Sequence, residues 1–226
     1  MRVGELSRRS GVSVPSIKYY LREGMLPPGA RTGPNQADYG DAHLRRLGLV
    51  RALLDVGGLS VAATRDVLAA VDAPDVPLHH VLGAAQAGVT PAPEERDDDA
   101  AERARATLDD LLGRRGWSVS PDNPARRTVV DVLTAYERLD EPELASAIEM
   151  YADAVERLAR TEVDTVLDRG DRGRVVEGAV VGTVLGDRLI GALRRLAQED
   201  ASWRRLGGRH DADDAHDASV EEAPGA

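Results

Sequence analysis

A mainly α-helical fold is predicted by three features of this sequence. Residues Val3–Glu23 read as two short helices joined by a tight turn. From Asp41 to Trp203, apolar residues recur at three- and four-residue spacing in segments ended by glycine, proline or a polar linker. Phe is absent and aromatic residues make up only 3% of the chain against 42% hydrophobic residues, so the core must be Val, Leu, Ala and Ile. The expected architecture is a helix-turn-helix head over residues 1–71, followed by a longer helical region.

The head is taken first. Its first helix is centred on Glu5–Ser10, and Gly11 stands at the turn, where a left-handed backbone costs glycine nothing. Ser13 is the expected N-cap of the second helix, and Pro15 is tolerated in a first turn. Val14, Ile17 and Leu21 share one buried stripe. Ser16, Lys18, Tyr19 and Arg22 are left on the other faces. A hydroxyl, an ammonium, a phenol and a guanidinium on one short helix suit a DNA groove, because they bind phosphate and reach base edges. Val14–Arg22 is therefore the expected recognition helix, with Ser13 at its mouth. An ordinary helical hairpin with a solvated face fits the same residues. Pro27-Pro28-Gly29 stops helical structure. Asp41 is the expected N-cap of a helix with Leu44, Leu47, Val50 and Leu54 on one face, ended by Gly57-Gly58. Ser60 opens the next helix, with Val61, Thr64, Leu68 and Val71 as its stripe. His43, Arg45 and Arg46 lie off the stripe. The two arginines are expected on a solvated face, with DNA contact as the alternative.

The segments GELSRRSGVS, IKYYLREGMLPP, HLRRL and VGGLSVAATRDVL, with Tyr39 between them, resemble the MerR family of bacterial transcription regulators from Met1 to about Val71. The resemblance implies a winged helix-turn-helix whose β-hairpin wing is Ala30–Asp38, with Arg31 and Thr32 on phosphate and Tyr39 closing the loop. It also implies a homodimer joined by an antiparallel coiled coil, promoter DNA with an overlong spacer that is bent and untwisted, RNA polymerase as a partner, and a small organic effector. Two departures stand out. Many members carry an Arg near the closing Tyr, whereas this chain has Asn35, Gln36, Ala37 and Asp38, and Asp38 is expected to repel phosphate. Lys18 replaces an Arg of many members, a point charge in place of a planar fork.

Residues 72–93 read as a proline-rich linker with a short helix at Leu78–Ala87. Pro93–Arg115 reads as a helix with acids at its start, Arg114 and Arg115 at its end and Gly116 as its stop. Ala101, Ala104, Leu108 and Leu111 form a 3-4-3 seam, which makes residues 94–116 the expected dimerisation helix. Packing of that seam inside its own subunit is the alternative. Residues 117–206 read as an all-helical effector or assembly domain. Within it, Asp140 and Glu143 resemble a capping box for a helix to about Leu167, and Gly178, Gly182 and Gly186 mark a face for tight packing within or between subunits. Trp117, Tyr136 and Tyr151 are the expected effector contacts, with core packing as the alternative for each. Residues 207–226, acidic and polar, are expected to be disordered.

The net charge of −10 conceals an asymmetry. Residues 1–71 hold ten basic and six acidic residues, a balance of +4, so the remainder of a chain with 29 basic and 39 acidic residues carries −14. A basic head on an acidic body suits docking on phosphate by one part only. Cysteine is absent, which removes disulfides and thiolate metal sites. The adjacent His79 and His80 do not share a helix face, and nothing fixes the geometry of His210 and His216, so no metal or cofactor is expected. No Cys nucleophile, G-x-S-x-G, Walker loop or H-E-x-x-H is present, and no enzyme is expected. No apolar run of membrane-spanning length and no signal-peptide core appear, so the expected location is the cytoplasm. The leading reading is a homodimeric promoter-binding regulator. A small-molecule sequestering protein with autoregulatory DNA binding, and an effector-independent architectural DNA-binding protein, are the alternatives.

Overall fold

The computed structural model describes residues 1–33, 36–73, 80, 83, 85, 86, 88 and 98–207. Helix α1 spans Val3–Ser10 and helix α2 Val14–Arg22. Between them Gly11 takes φ 69°, and its N–H bonds the Ser7 carbonyl. Ser13 caps α2 by accepting from the Ser16 N–H at 3.2 Å. Strands β1 (Ala30–Gly33) and β2 (Gln36–Asp38) pair antiparallel, with Ala30 opposite Asp38 and Arg31 opposite Ala37. Helix α3 (Asp41–Arg51) is capped by Gly40 rather than Asp41, because the His43 Nδ1 reaches back to accept from the Gly40 N–H at 3.0 Å. Asp41 then sits in the first turn, where its charge still favours the helix dipole.

Helix α3 runs into a π turn, Ala52–Val56, closed by the Gly57 N–H on the Ala52 carbonyl at 2.8 Å. Leu49, Val50 and Leu53 are all buried along this stretch. Helix α4 (Val61–Asp72) follows, with the Ser60 hydroxyl accepting from the Ala63 N–H at 3.1 Å. The later helices are α5 (Asp99–Arg115), α6 (Pro124–Arg138), α7 (Pro142–Ser146), α8 (Ile148–Leu167) and α9 (Arg172–Leu206).

Several expected boundaries move. Asp98 is the N-cap of α5, accepting from the Ala101 N–H at 3.0 Å. Residues 93–97 of the longer expected helix lie outside the described residues, as do most of the linker and residues 208–226. Asp140 and Glu143 do not form a capping box. Asp140 has φ 56°, and Pro142 holds Glu141 at φ −114°, away from helical angles. The expected single helix is instead α7 and α8, separated at Ala147.

Two buried clusters support the head. Leu6, Val12, Ile17, Leu26, Tyr39 and Leu47 make the first. Met25, Leu49, Val50, Leu53, Leu59, Val67, Leu68 and Ala85 make the second together with Val176, Val180 and Val184 of α9. The three valines recur every four residues on one helical stripe. Residues 1–71 therefore do not close their own core, and the first half of α9 supplies its rear wall. Residues 1–186 form one compact unit and residues 187–226 a second. Tyr20 of α2 touches both clusters, and burial, followed by the charge of Asp55, pushes its phenol pKa up. At Gly57 a Cβ would lie 2.3 Å from Val184 Cγ1 and 2.7 Å from the Leu53 carbonyl, so only glycine lets α9 approach this closely.

The glycine face of α9 behaves differently from expectation. A Cβ at Gly178 would meet the Arg169 guanidinium at 2.6 Å, one at Gly182 would meet nothing within 4 Å, and one at Gly186 would lie 3.5 Å from Glu162. Among the described residues no backbone approaches these three positions that closely; the close approach is on the valine face.

Ala101, Ala104, Leu108 and Leu111 are 3–5% exposed. Helix α5 packs along α6, where Leu133 and Thr134 are also buried. The seam expected to face a second subunit is therefore covered within the chain, since α6 offers the matching face. Asp109 pairs with Arg126 at 2.5 Å, and Arg103–Glu137 and Asp98–Arg138 also tie α5 to α6. At the end of α5, Arg115 is only 15% exposed and reaches Glu149 at 2.7 Å, Asp153 at 2.8 Å and Glu156 at 3.4 Å, all on α8.

Two measurements test this arrangement. Val180→Ala deletes two buried methyl groups and should cost about 1.5–3 kcal/mol. Gly57→Ala should cost roughly 1–3 kcal/mol by overpacking against α9. Denaturant unfolding of the two variants checks both, and a neutral Gly57→Ala would contradict the close approach. The second test is of pH. Arg115, then Arg114, hold the Glu149 carboxyl below its ordinary range. The Ala101 N–H, ahead of Arg138, holds Asp98 below its own. Both groups bind protons more readily unfolded, so their stabilisation is complete above about pH 5 and is lost as pH falls through the depressed folded values. Melting curves at pH 3–7 should show a shallower acid limb for Glu149→Gln than for the unaltered protein.

Candidate nucleic-acid interface

Helix α2 is anchored by Ile17, which is fully buried, and this fixes which side chains face outward. Lys18 and Arg22 are exposed, whereas Ser16 and Tyr19 are half-buried. The Arg22 guanidinium carbon lies 5.1 Å from the Tyr19 ring centroid, and its Nε donates to Glu23 at 3.3 Å. Tyr19 thus serves as a platform for Arg22 while its other side packs on the second cluster. The Ser13 hydroxyl caps the helix, and the Ser16 hydroxyl shares a hydrogen bond with it at 2.7 Å.

In the wing, Arg31 and Thr32 are exposed. Arg2, from the chain before α1, donates to the Thr32 hydroxyl at 2.8 Å and lies 3.5 Å from the Asp38 carboxylate. Asp38 was expected to repel phosphate, but Arg2 offsets its charge. Tyr39, at the close of the wing loop, is a core residue that also lines the concavity beside α2. It is 9% exposed, meets His43 edge-on at 5.1 Å, and exchanges two backbone hydrogen bonds of 2.8 Å with Met1. The ring fixes the root of the wing. Arg2, Lys18 and Arg31 line one concavity of about 530 Å³ with Gln36 and Tyr39. Three cations from three separate elements thus converge beside the recognition helix, and Lys18 is the only lysine in the chain. A concave basic surface between helix and hairpin suits the phosphate backbone at a groove edge.

Sequence reasoning missed Arg2, whose partners lie on the wing and leave no local pattern. It also misplaced Arg46. That side chain is 10% exposed, donates to the Met25 carbonyl at 2.8 Å, and forks onto both oxygens of Asp72 at 2.9 and 2.5 Å. It ties the turn after α2 to the end of α4 and is not on a solvated face. Arg45 is exposed, as expected.

The expected effector contacts fall on different elements. Trp117 follows α5, half-buried, with the Arg115 guanidinium carbon 5.9 Å from its ring. Tyr136 is half-buried on α6, and Tyr151 is 39% exposed on α8. Among the described residues no cluster of His, Asp and Glu is arranged to hold a metal ion, and no helix is long and apolar enough to cross a membrane.

Comparison with known proteins agrees with this geometry. The family described as MerR HTH family regulatory protein matches residues 1–71. The chain is 32% identical over 132 residues to the heavy metal-dependent transcription regulator 2 of Rhizobium meliloti, covering 55% of this chain and 82% of that one. It is 38% identical over 69 residues to the HTH-type transcriptional regulator HmrR of Sinorhizobium medicae, covering 30% of this chain and 46% of the relative. The crystal structure of SCO5550 from Streptomyces coelicolor A3(2) is 41% identical and superposes with a TM-score of 0.74, covering 93% of this chain and all of that one. The chain belongs to the MerR family of helix-turn-helix regulatory proteins and is a DNA-binding transcription regulator of that type.

Proposed function

We propose that this regulator acts as a cytoplasmic homodimer on double-stranded promoter DNA, works on RNA polymerase at that promoter, and responds to a small organic effector through its C-terminal helices. The observation that carries the DNA part is the convergence of Arg2, Lys18 and Arg31 beside the exposed face of α2. A second head is needed because one helix-turn-helix reads only a few base pairs, and two related by a two-fold axis read a palindrome. The effector part is supported by the shared core, in which α9 of the C-terminal region forms the rear wall of the head. A change in those helices has a packed route to α2 through Met25 and Tyr20. This coupling favours an effector-responsive regulator over an architectural protein. Trp117, Tyr136 and Tyr151 remain the proposed effector contacts.

Two relatives carry heavy-metal names, but this chain has no cysteine. Mercuric and cuprous ions, which soft thiolates select, should therefore leave operator binding unchanged. A titration in a DNA gel-shift assay checks this, and a tight reversible response would count against an organic effector.

The interface itself is tested at Lys18 and Arg22. Because Lys18 is the only lysine, bound operator DNA should protect one side-chain amine from acylation, read directly by peptide mass spectrometry. Arg22→Ala should weaken operator binding by about 1–3 kcal/mol if the guanidinium reads a base, or reduce the salt slope by about one unit if it touches phosphate alone. Acylation of Lys18 unchanged by DNA, together with unchanged affinity and salt slope of Arg22→Ala, would move the interface off α2.

A further inference from the structure

Lys18 carries the only side-chain amine of this protein. The remaining Lys and Arg positions are all arginine, whose guanidinium stays protonated and is no nucleophile. Lys18 stands on the exposed face of α2 and lines the concavity of about 530 Å³ between that helix and the wing. That volume falls within the range of small-molecule sites, roughly 300–1,000 Å³. The wall offers two kinds of surface. Arg2, Lys18 and Arg31 supply cations, whereas Val3, Ala37 and Tyr39 supply apolar area. The three cations are not equivalent. Arg2 is held by the Thr32 hydroxyl and the Asp38 carboxylate. Among the described residues no hydrogen bond or ion pair holds Arg31 or Lys18. The concavity therefore presents an idle guanidinium fork and an idle amine beside apolar surface. A DNA backbone would use the cations and leave the apolar part unused. A small molecule with phosphate at one end and a short acyl chain at the other uses both.

We propose that Lys18 is an acylation site and that its donor is an acyl phosphate bound in this concavity. The inference rests on the reading of α2 as the DNA-binding helix and adds a means of regulating it. Arg31 takes the phosphate oxygens with its fork, and Arg2 adds a second positive charge. The acyl chain lies on Val3, Ala37 and Tyr39. Holding donor and amine in one site makes their reaction effectively unimolecular. The unprotonated Lys18 amine attacks the carbonyl carbon. An N–C bond forms, the bond from that carbon to the phosphate oxygen breaks, and inorganic phosphate leaves with the proton that the amine gives up. Nothing is oxidised or reduced. The product carries a neutral amide in place of an ammonium, so it has lost a charge that meets DNA phosphate. No other lysine replaces it. Operator DNA and the acyl phosphate need the same cations and exclude one another. Free protein is then open to modification, and DNA-bound protein is protected from it.

The experiment uses the full chain carrying Arg65→Lys, which adds a reference amine at an exposed position of α4. Acetyl phosphate is the probe, and peptide mass spectrometry reads both amines in the same molecule. Lys18 should be acetylated several-fold faster than the reference amine. Excess inorganic phosphate should remove the difference, and so should Arg31→Gln with its helical circular dichroism retained. Protein acetylated at Lys18 should bind operator DNA more weakly, with a salt slope lower by about one unit. Equal rates at the two amines, or a difference that phosphate leaves intact, would overturn the inference alone and leave the DNA reading standing. Preferential acetylation that changes neither operator affinity nor salt slope would overturn the regulation and take Lys18 out of the DNA interface.

Discussion

The structure depends on one contact, the seat of Val176, Val180 and Val184 on α3, the π turn and α4. Without it, Leu49, Val50, Leu53, Val67 and Leu68 would face water from a head too small to cover them. The seat also explains an otherwise odd backbone. A π turn holds one residue more than an α turn, and here it ends at Gly57, the position where α9 comes closest. A regular helix with a side chain at that position would hold α9 away and open the cluster. The recognition helix stands on the other side of the same cluster, through Tyr19, Tyr20 and Met25. The head and the helices up to Gly186 are thus parts of one packed unit, not beads on a linker.

Charge is organised around that unit in two ways. In the head, Arg2, Lys18 and Arg31 converge on the concavity beside α2, while Arg46 is spent on structure against Asp72. In the acidic remainder, Arg103, Arg114, Arg115, Arg126 and Arg138 tie helices together. Arg115 is the clearest case, because its largely buried guanidinium meets three carboxylates of α8 and the ring of Trp117. Removing its carboxylate partners would strand the covered guanidinium without compensation. Such ties also account for a strongly acidic region that stays compact, since the carboxylates nearest one another share a cation.

What was legible in the sequence was local. Gly11, Ser13 and Ser60 announce their turns and caps, because a left-handed glycine and a hydroxyl N-cap act within three residues. The seam of α5 was recognisable as a buried face, since burial follows from periodicity. What buries it was not, because a 3-4-3 row matches α6 of the same subunit as well as a second copy. The same limit hid the valine seat. Gly178, Gly182 and Gly186 drew notice on α9, whereas Val176, Val180 and Val184 make the long-range contact, and either row is helical in period. Asp140 and Glu143 failed for a different reason: Pro142 between them overrides the pattern by steric restriction of Glu141. Arg2 and Arg46 had no readable signal, because their partners lie far along the chain.

The strength of the valine seat constrains how the helical region can act on the head. Fully burying three valines contributes on the order of 4–9 kcal/mol, while coupling between two sites typically amounts to 1–3 kcal/mol. A signal of that size cannot detach α9 from the head. It can shift α9 along its seat, because Val184 is in contact with Gly57 and any displacement there meets backbone, not a yielding side chain. Packed contacts of this kind pass small movements on without absorbing them. The nearest responsive element is the π turn, whose hydrogen bonds, Gly57 to Ala52 and Leu59 to Leu53, flank the contact. A small slide of α9 would therefore act first on the π turn that follows α3.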